Sequence, residues 1–118
     1  MKEQSIEKLI ERFTTAAKKH FTASLAGDWR SANKEAKVIR KTARQIFDLG
    51  EDARKALLAQ TDNEDLYVSA LAAVYSLKFS PDKSISILTK ISKEPGLVGF
   101  EAKQALLRWE QGEWMLDK

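Results

Sequence analysis

The chain contains no cysteine, so no disulfide braces it, and no thiolate is available as metal ligand or nucleophile. Two prolines and five glycines among 118 residues leave little material for turns, which favours few, long elements. There is one histidine, His20, and no HxxH or HExxH spacing from which a zinc site is built. Glycine-rich phosphate loops and the GxSxG elbow are also missing. Long apolar runs are absent too. The uncharged stretch Leu66–Leu77 spans twelve residues, where a bilayer needs roughly 20. The start, MKEQSIEKLIERF, is charged every few residues and has no apolar core like that of a signal peptide, so the expected compartment is the cytoplasm, with no membrane partner. No segment alternates polar and apolar residues at period two over a useful length, which argues against a sheet.

What is present describes one soluble domain over residues 1–118, with 43% hydrophobic and 31% charged residues. LYVSALAAVYSL is apolar on nearly every side, the mark of a buried helix. Its alanines (Ala70, Ala72, Ala73) allow close helix approach, and Leu71, Val74, Tyr75 and Leu77 fill the space between. The net charge of +3 is unevenly spread. Residues 1–60 carry 13 Lys and Arg against 8 Asp and Glu, whereas residues 61–118 carry 7 against 9. The first half is therefore basic and the second mildly acidic, a polarity that a charged partner can read, although an uneven, solvated surface is the commoner case.

The expected fold is all-α, with about six helices. Ile6, Leu9, Ile10, Phe13, Ala17, Phe21 and Leu25 recur at spacings of three and four and predict a first helix from about Gln4 to Ala26. Ser5 and Lys8 make no capping box, so its start is poorly marked. Gly27 stops it and Asp28 N-caps the next. The second helix, from about Trp29 to Leu49, has an apolar face of Trp29, Ala32, Ala36, Ile39, Ala43, Ile46 and Phe47. The two form a long antiparallel hairpin. A short helix from about Glu51 to Gln60 comes next. After the turn Thr61-Asp62-Asn63 the central helix runs from about Glu64 to Phe79. Ser80-Pro81 opens a fifth helix, to about Ser92, and Pro95-Gly96 separates it from a sixth, Leu97 to Gln111, with Phe100, Ala102, Ala105, Leu106 and Trp109 at helical spacing. DARKALL and DKSISIL lie thirty residues apart, each followed by a turn and a more apolar helix. This faint repeat predicts two stacked helix pairs of a HEAT-like α-solenoid behind the hairpin.

Enzyme chemistry needs convergent groups, and the chain offers few, so neither catalysis nor a cofactor is expected. Two charged features are candidate partner-binding residues. Arg30, Lys34, Lys37, Lys41 and Arg44 recur at spacings of four and three and form a basic stripe on the second helix, with Arg40 beside it. Such a stripe suits phosphates or an acidic protein, although no aromatic is interleaved for base stacking and a solvated helix face is the plainer reading. Glu51 with Asp52, and Asp62 with Glu64 and Asp65, are acidic pairs at helix starts, where they complement the helix dipole. Of the tryptophans, Trp29 and Trp109 fall in register with apolar neighbours and read as core. Trp114, beyond Gly112, reads equally as core or as binding residue.

LIERF near the start, Gly27-Asp28 followed by Asn33, ARKALLAQTDNEDLYVSALAAVYSL and AKQALLRWEQGEW together resemble a small, all-helical, HEAT-like bacterial domain family of unknown function. The resemblance runs from about Ile6 to Glu113, and Thr61-Asp62-Asn63 stands where that family has an HPN turn. Similar proteins recur as immunity proteins beside polymorphic toxins, including those of contact-dependent growth inhibition. The resemblance implies a non-enzymatic cytoplasmic protein that binds one cognate toxin domain, one to one, and occludes its active site, with a nuclease as the expected toxin. Nuclease inhibitors are often acidic and this chain is basic, so either the acidic turns or the basic stripe has to supply the face. Nucleic-acid binding through the stripe and generic scaffolding are the alternatives.

Overall fold

The computed structural model describes residues 5–114. Among these, six α-helices and one 3-10 turn account for the regular structure, and no strand occurs. The fold is all-α, as the periodicity predicts. The helices are α1 (Ile6–Leu25), α2 (Trp29–Asp48), α3 (Glu51–Ala59), α4 (Leu66–Ser76), α5 (Pro81–Ile91) and α6 (Gly96–Glu110), with the 3-10 turn at Gln60–Asp62. The chain divides into two compact units, residues 1–57 and 58–118.

In the first unit α1 and α2 pack along their length. Leu9, Phe13, Ala16 and Ala17 of α1 and Ala32, Ile39, Ala43 and Ile46 of α2 are buried. The alanines let the backbones approach, and each fully buried Leu, Ile or Phe contributes about 1.5–3 kcal/mol. The start of α1 is better marked than its sequence suggests, because the Lys8 N–H donates to Ser5 Oγ at 3.1 Å. Gly27 adopts a φ of 73°, in the left-handed region, and reverses the chain in three residues. Asp28 Oδ1 then accepts from the Ser31 N–H at 3.2 Å, capping α2 as its residue type predicts. Beyond Gly50, α3 buries Ala53 and Leu57, and the Arg54 guanidinium donates to the Phe47 carbonyl at 2.9 Å.

In the second unit α4 packs against both α5 and α6, which also pack on each other. Nine of the eleven residues of α4 are buried, in keeping with its uncharged sequence. The turn before α4 is densely bonded. Thr61 Oγ1 donates to the Leu58 carbonyl (2.7 Å), Ser69 Oγ to the Thr61 carbonyl (2.6 Å), and the Asp65 N–H to Asn63 Oδ1 (2.8 Å). Asp65 caps the helix, accepting from the amides of Tyr67 and Val68 at 2.9 and 3.0 Å. The central helix thus starts at Leu66, two residues later than expected, because this bonding holds Asn63 to Asp65 outside it.

Several expected core residues are not core. Trp29 and Leu25 are each 63% exposed, Phe100 is 56% exposed and Ala36 is exposed, while Trp109 is half-buried. For Trp29 the reason is angular: at 100° per residue it lies about 70° from the centre of the Ala32, Ile39, Ala43 and Ile46 seam, off its edge. Spacing shared with one apolar neighbour does not put it on the seam.

Candidate functional site

The basic stripe forms a ridge. All six cations of α2, Arg30, Lys34, Lys37, Arg40, Lys41 and Arg44, are exposed, and none is ion-paired among the described residues. On the helical wheel Arg30, Lys34, Lys37, Lys41 and Arg44 lie opposite the buried seam, so burying one face of α2 turns these five outward. Arg30 to Arg44 spans fourteen residue steps, about 21 Å at 1.5 Å each. Asp48 closes the row and is exposed on the same side.

The ridge carries like charges at helical neighbour positions: 30 with 34, 37 with 41 and 40 with 44 at i,i+4, and 34 with 37, 37 with 40 and 41 with 44 at i,i+3. Each such pair costs an isolated helix about 0.2–0.5 kcal/mol. Together the repulsion reaches about 1–3 kcal/mol at low salt, a sizeable share of a marginally stable chain's margin.

Trp29 stands at the N-terminal end of this ridge, and Leu25 precedes it on the far side of the turn. The charge of Asp28 between them is held by Ser31: the side chain foremost and the backbone N–H second lower the carboxyl's pKa below its ordinary value, against a small opposing desolvation.

The acidic residues are largely occupied. Asp65 is committed to two backbone amides. Asp62 Oδ2 lies 3.5 Å from Lys83 Nζ, and Glu51 Oε2 lies 3.6 Å from Lys55 Nζ, both exposed ion pairs of small energetic weight. Asp52 and Glu64 are exposed. Trp114 is 8% exposed, its indole N–H donating to the Val74 carbonyl at 2.8 Å. That ring is an anchor inside its own unit, edge-on to Phe79 with centroids 5.9 Å apart.

Two concavities accompany these features. An open groove of about 400 Å³ beside the α1–α2 seam is lined by Lys8, Glu11, Arg12, Lys19 and Glu35 among others, with both charge signs mixed. A smaller one of about 270 Å³, lined by Thr61, Asn63, Leu66, Ser69, Ile87 and Ile91 among others, lies beside the capped turn. Among the described residues no group of three or more His, Asp or Glu side chains is placed to hold a metal, and no helix is long and apolar enough to cross a membrane.

No protein-family model matches the chain, and no curated protein matches it by sequence. Among solved structures it is similar to the crystal structure of the protein RPA1889 from Rhodopseudomonas palustris CGA009, with a TM-score of 0.86 over 95% of this chain and 93% of that chain, at 20% sequence identity. A likeness at that identity is one of fold.

The tip pair Leu25 and Trp29 is the feature that sequence reasoning missed. The signal was available in the wheel angle of Trp29 and in its place at the first position of α2, where a side chain has no preceding turn to pack upon.

Proposed function

We propose that the protein is a non-enzymatic immunity protein of the cytoplasm, which binds one cognate toxin domain and neutralises it by covering its active site. The observation that carries this reading is the six-cation ridge on α2. A run of six self-repelling cations, closed only by Asp48, costs stability that a helix face of evenly mixed charge would not, which favours a use in binding. Its cations project from a helix whose opposite face is buried, so the backbone that carries them is ordered before the partner arrives. A concentrated charge also steers association, raising the capture rate by orders of magnitude at low ionic strength, which suits an antidote that must reach its toxin first. The ridge selects an acidic face on the toxin domain. For a nuclease that means carboxylates around its active site rather than its phosphate-binding surface.

The test is a pull-down of the tagged protein from its native strain, with the neighbouring toxin's domain supplied in catalytically inactive form. The expected result is a one-to-one complex of nanomolar affinity that survives moderate salt. The combined Lys34→Glu, Lys37→Glu and Lys41→Glu variant should lose it, and the Asp62→Asn, Glu64→Gln variant should keep it. No complex with the toxin domain would overturn the reading.

One observation favours a second reading. Trp29 beside the ridge is the arrangement of a stacking side chain next to phosphate-binding cations. Nucleic-acid binding would show a log–log salt slope near −0.7 per phosphate contacted on a single strand, and no saturable protein complex.

A further inference from the structure

The cations of α2 do not stand alone on their side of the hairpin. We infer that the partner's contact extends from the ridge across the open groove beside the α1–α2 seam. The groove takes an acidic helix of the toxin domain, held between Lys34 and Lys41 of α2 and Arg12 and Lys19 of α1. This rests on the proposed function, whose partner surface it specifies.

Lys8, Arg12 and Lys19 line one bank of the groove, and Val38 lines the other. Lys34 and Lys41 stand one helical turn before and after Val38, at i−4 and i+3, so they border the groove from α2. All five cations are exposed, and none is ion-paired among the described residues. Positive charge therefore reaches the groove from both helices, which a ridge on one helix would not provide. Between the banks lie Ala16, which is buried, and Val38, which is half-buried, small side chains that leave a concavity of about 400 Å³ open.

Shape and charge together say what fits. Two antiparallel helices bound a straight channel, and Lys8 to Lys19 spans eleven residue steps, about 16 Å or three helical turns. A third helix laid along such a seam packs as helices in bundles do, and an amphipathic helix in a groove is a recurrent mode of recognition. Carboxylates one turn apart on its two flanks meet the two rows of cations. Glu11 and Glu35 line the same groove. A nucleic-acid strand carries a phosphate at every nucleotide and would set charge against both, whereas a helix can place neutral or basic side chains opposite them. The occupant is therefore a protein helix.

The experiment exploits two chain neighbours. Lys18 and Lys19 are both exposed lysines of α1, but Lys19 lines the groove while Lys18, about 100° further round the helix, does not. Lys19→Glu, Arg12→Glu and Lys18→Glu are compared with the wild type against the inactivated toxin domain, by calorimetry at physiological ionic strength. A short single-stranded oligonucleotide serves as the second probe. The three variants change the net charge equally, so long-range steering affects them alike. All three positions are exposed, so the variants should fold as the wild type does, which circular dichroism checks. The expected result is that Lys19→Glu and Arg12→Glu each weaken the complex by about tenfold or more, and Lys18→Glu by less than about threefold. A toxin complex that loses no more to Lys19→Glu and Arg12→Glu than to Lys18→Glu overturns the groove and leaves the immunity reading standing. No toxin complex overturns both, and oligonucleotide retention that depends on Arg12 and Lys19 would then assign the groove to nucleic acid.

Discussion

The indole N–H of Trp114 donates to the carbonyl oxygen of Val74 at 2.8 Å, across forty residues of chain. Val74 lies in the last turn of the central helix α4, where its carbonyl otherwise accepts only the long bond from the Leu77 N–H at 3.4 Å, so the indole gives it a second, shorter bond while the ring covers it. Lys78 Nζ sits 5.5 Å from the centroid of the same ring and Phe79 meets it edge-on. The last described residue of the chain is thus stitched to the helix on which its unit is organised.

Replacing Trp114 by Phe should destabilise the protein by about 0.5–1.5 kcal/mol, since it removes a buried hydrogen bond while the Val74 carbonyl keeps only the long bond from the Leu77 N–H at 3.4 Å. Trp114→Ala should cost more, about 3–5 kcal/mol, through lost packing. Urea unfolding followed by circular dichroism checks both, and a Trp114→Phe variant as stable as the wild type would show that the hydrogen bond carries no weight beside the ring.

Gly99, in the first turns of α6, has no room for a side chain: a Cβ there would collide with the carbonyl oxygen of Glu94. Backbone cannot step aside as a flexible side chain can. Gly99→Ala should therefore destabilise by about 1–3 kcal/mol despite alanine's better helix propensity. A thermal melt decides the sign.

Ser84 is fully buried on α5 and its hydroxyl has no hydrogen-bond partner among the described residues. Ser84→Ala removes an unsatisfied polar atom from the core and improves helix propensity. The expected outcome is a gain of about 1 kcal/mol, read from the shift in the urea midpoint at constant slope.

Burial foremost, with the charge of Glu101 second and Tyr75 third, pushes the Tyr67 phenol above its ordinary pKa of 10.0. The folded chain then keeps a proton that the unfolded chain gives up, so the stability tied to this group is whole below 10.0 and is lost as pH climbs beyond it. Stability measured against pH should fall more steeply in the wild type than in Tyr67→Phe on the alkaline side, and identical slopes would refute the assignment.

Lys37 has like-charged neighbours at 34, 40 and 41. Lys37→Glu turns three repulsive pairs into attractive ones and should raise stability by about 1–3 kcal/mol at low ionic strength. The gain should fade in concentrated salt as the charges are screened. The same variant should weaken the proposed toxin complex, and a stabilised protein that binds less well is the signature expected of a ridge kept for a partner.

Hydropathy, turn residues and charge spacing were enough to give six helices, a hairpin closing at Gly27-Asp28, a buried central helix and a row of cations on one side of α2. Each of these depends on residues within a few positions of one another, where period and capping chemistry are local. The fates of the three tryptophans were not legible in that way. Trp29 and Trp114 have similar intrinsic preferences, yet one stands in water and the other is buried against Val74. That difference depends on which surface lies opposite each ring, and chain positions forty residues apart set it. The same holds for the acidic turn: Asp62 and Asp65 read alike as carboxylates at a helix start, but one meets Lys83 and the other is committed to the amides of α4. Packing therefore sorted residues of equal chemical promise into scaffold and surface, and left the ridge and its tryptophan facing outward.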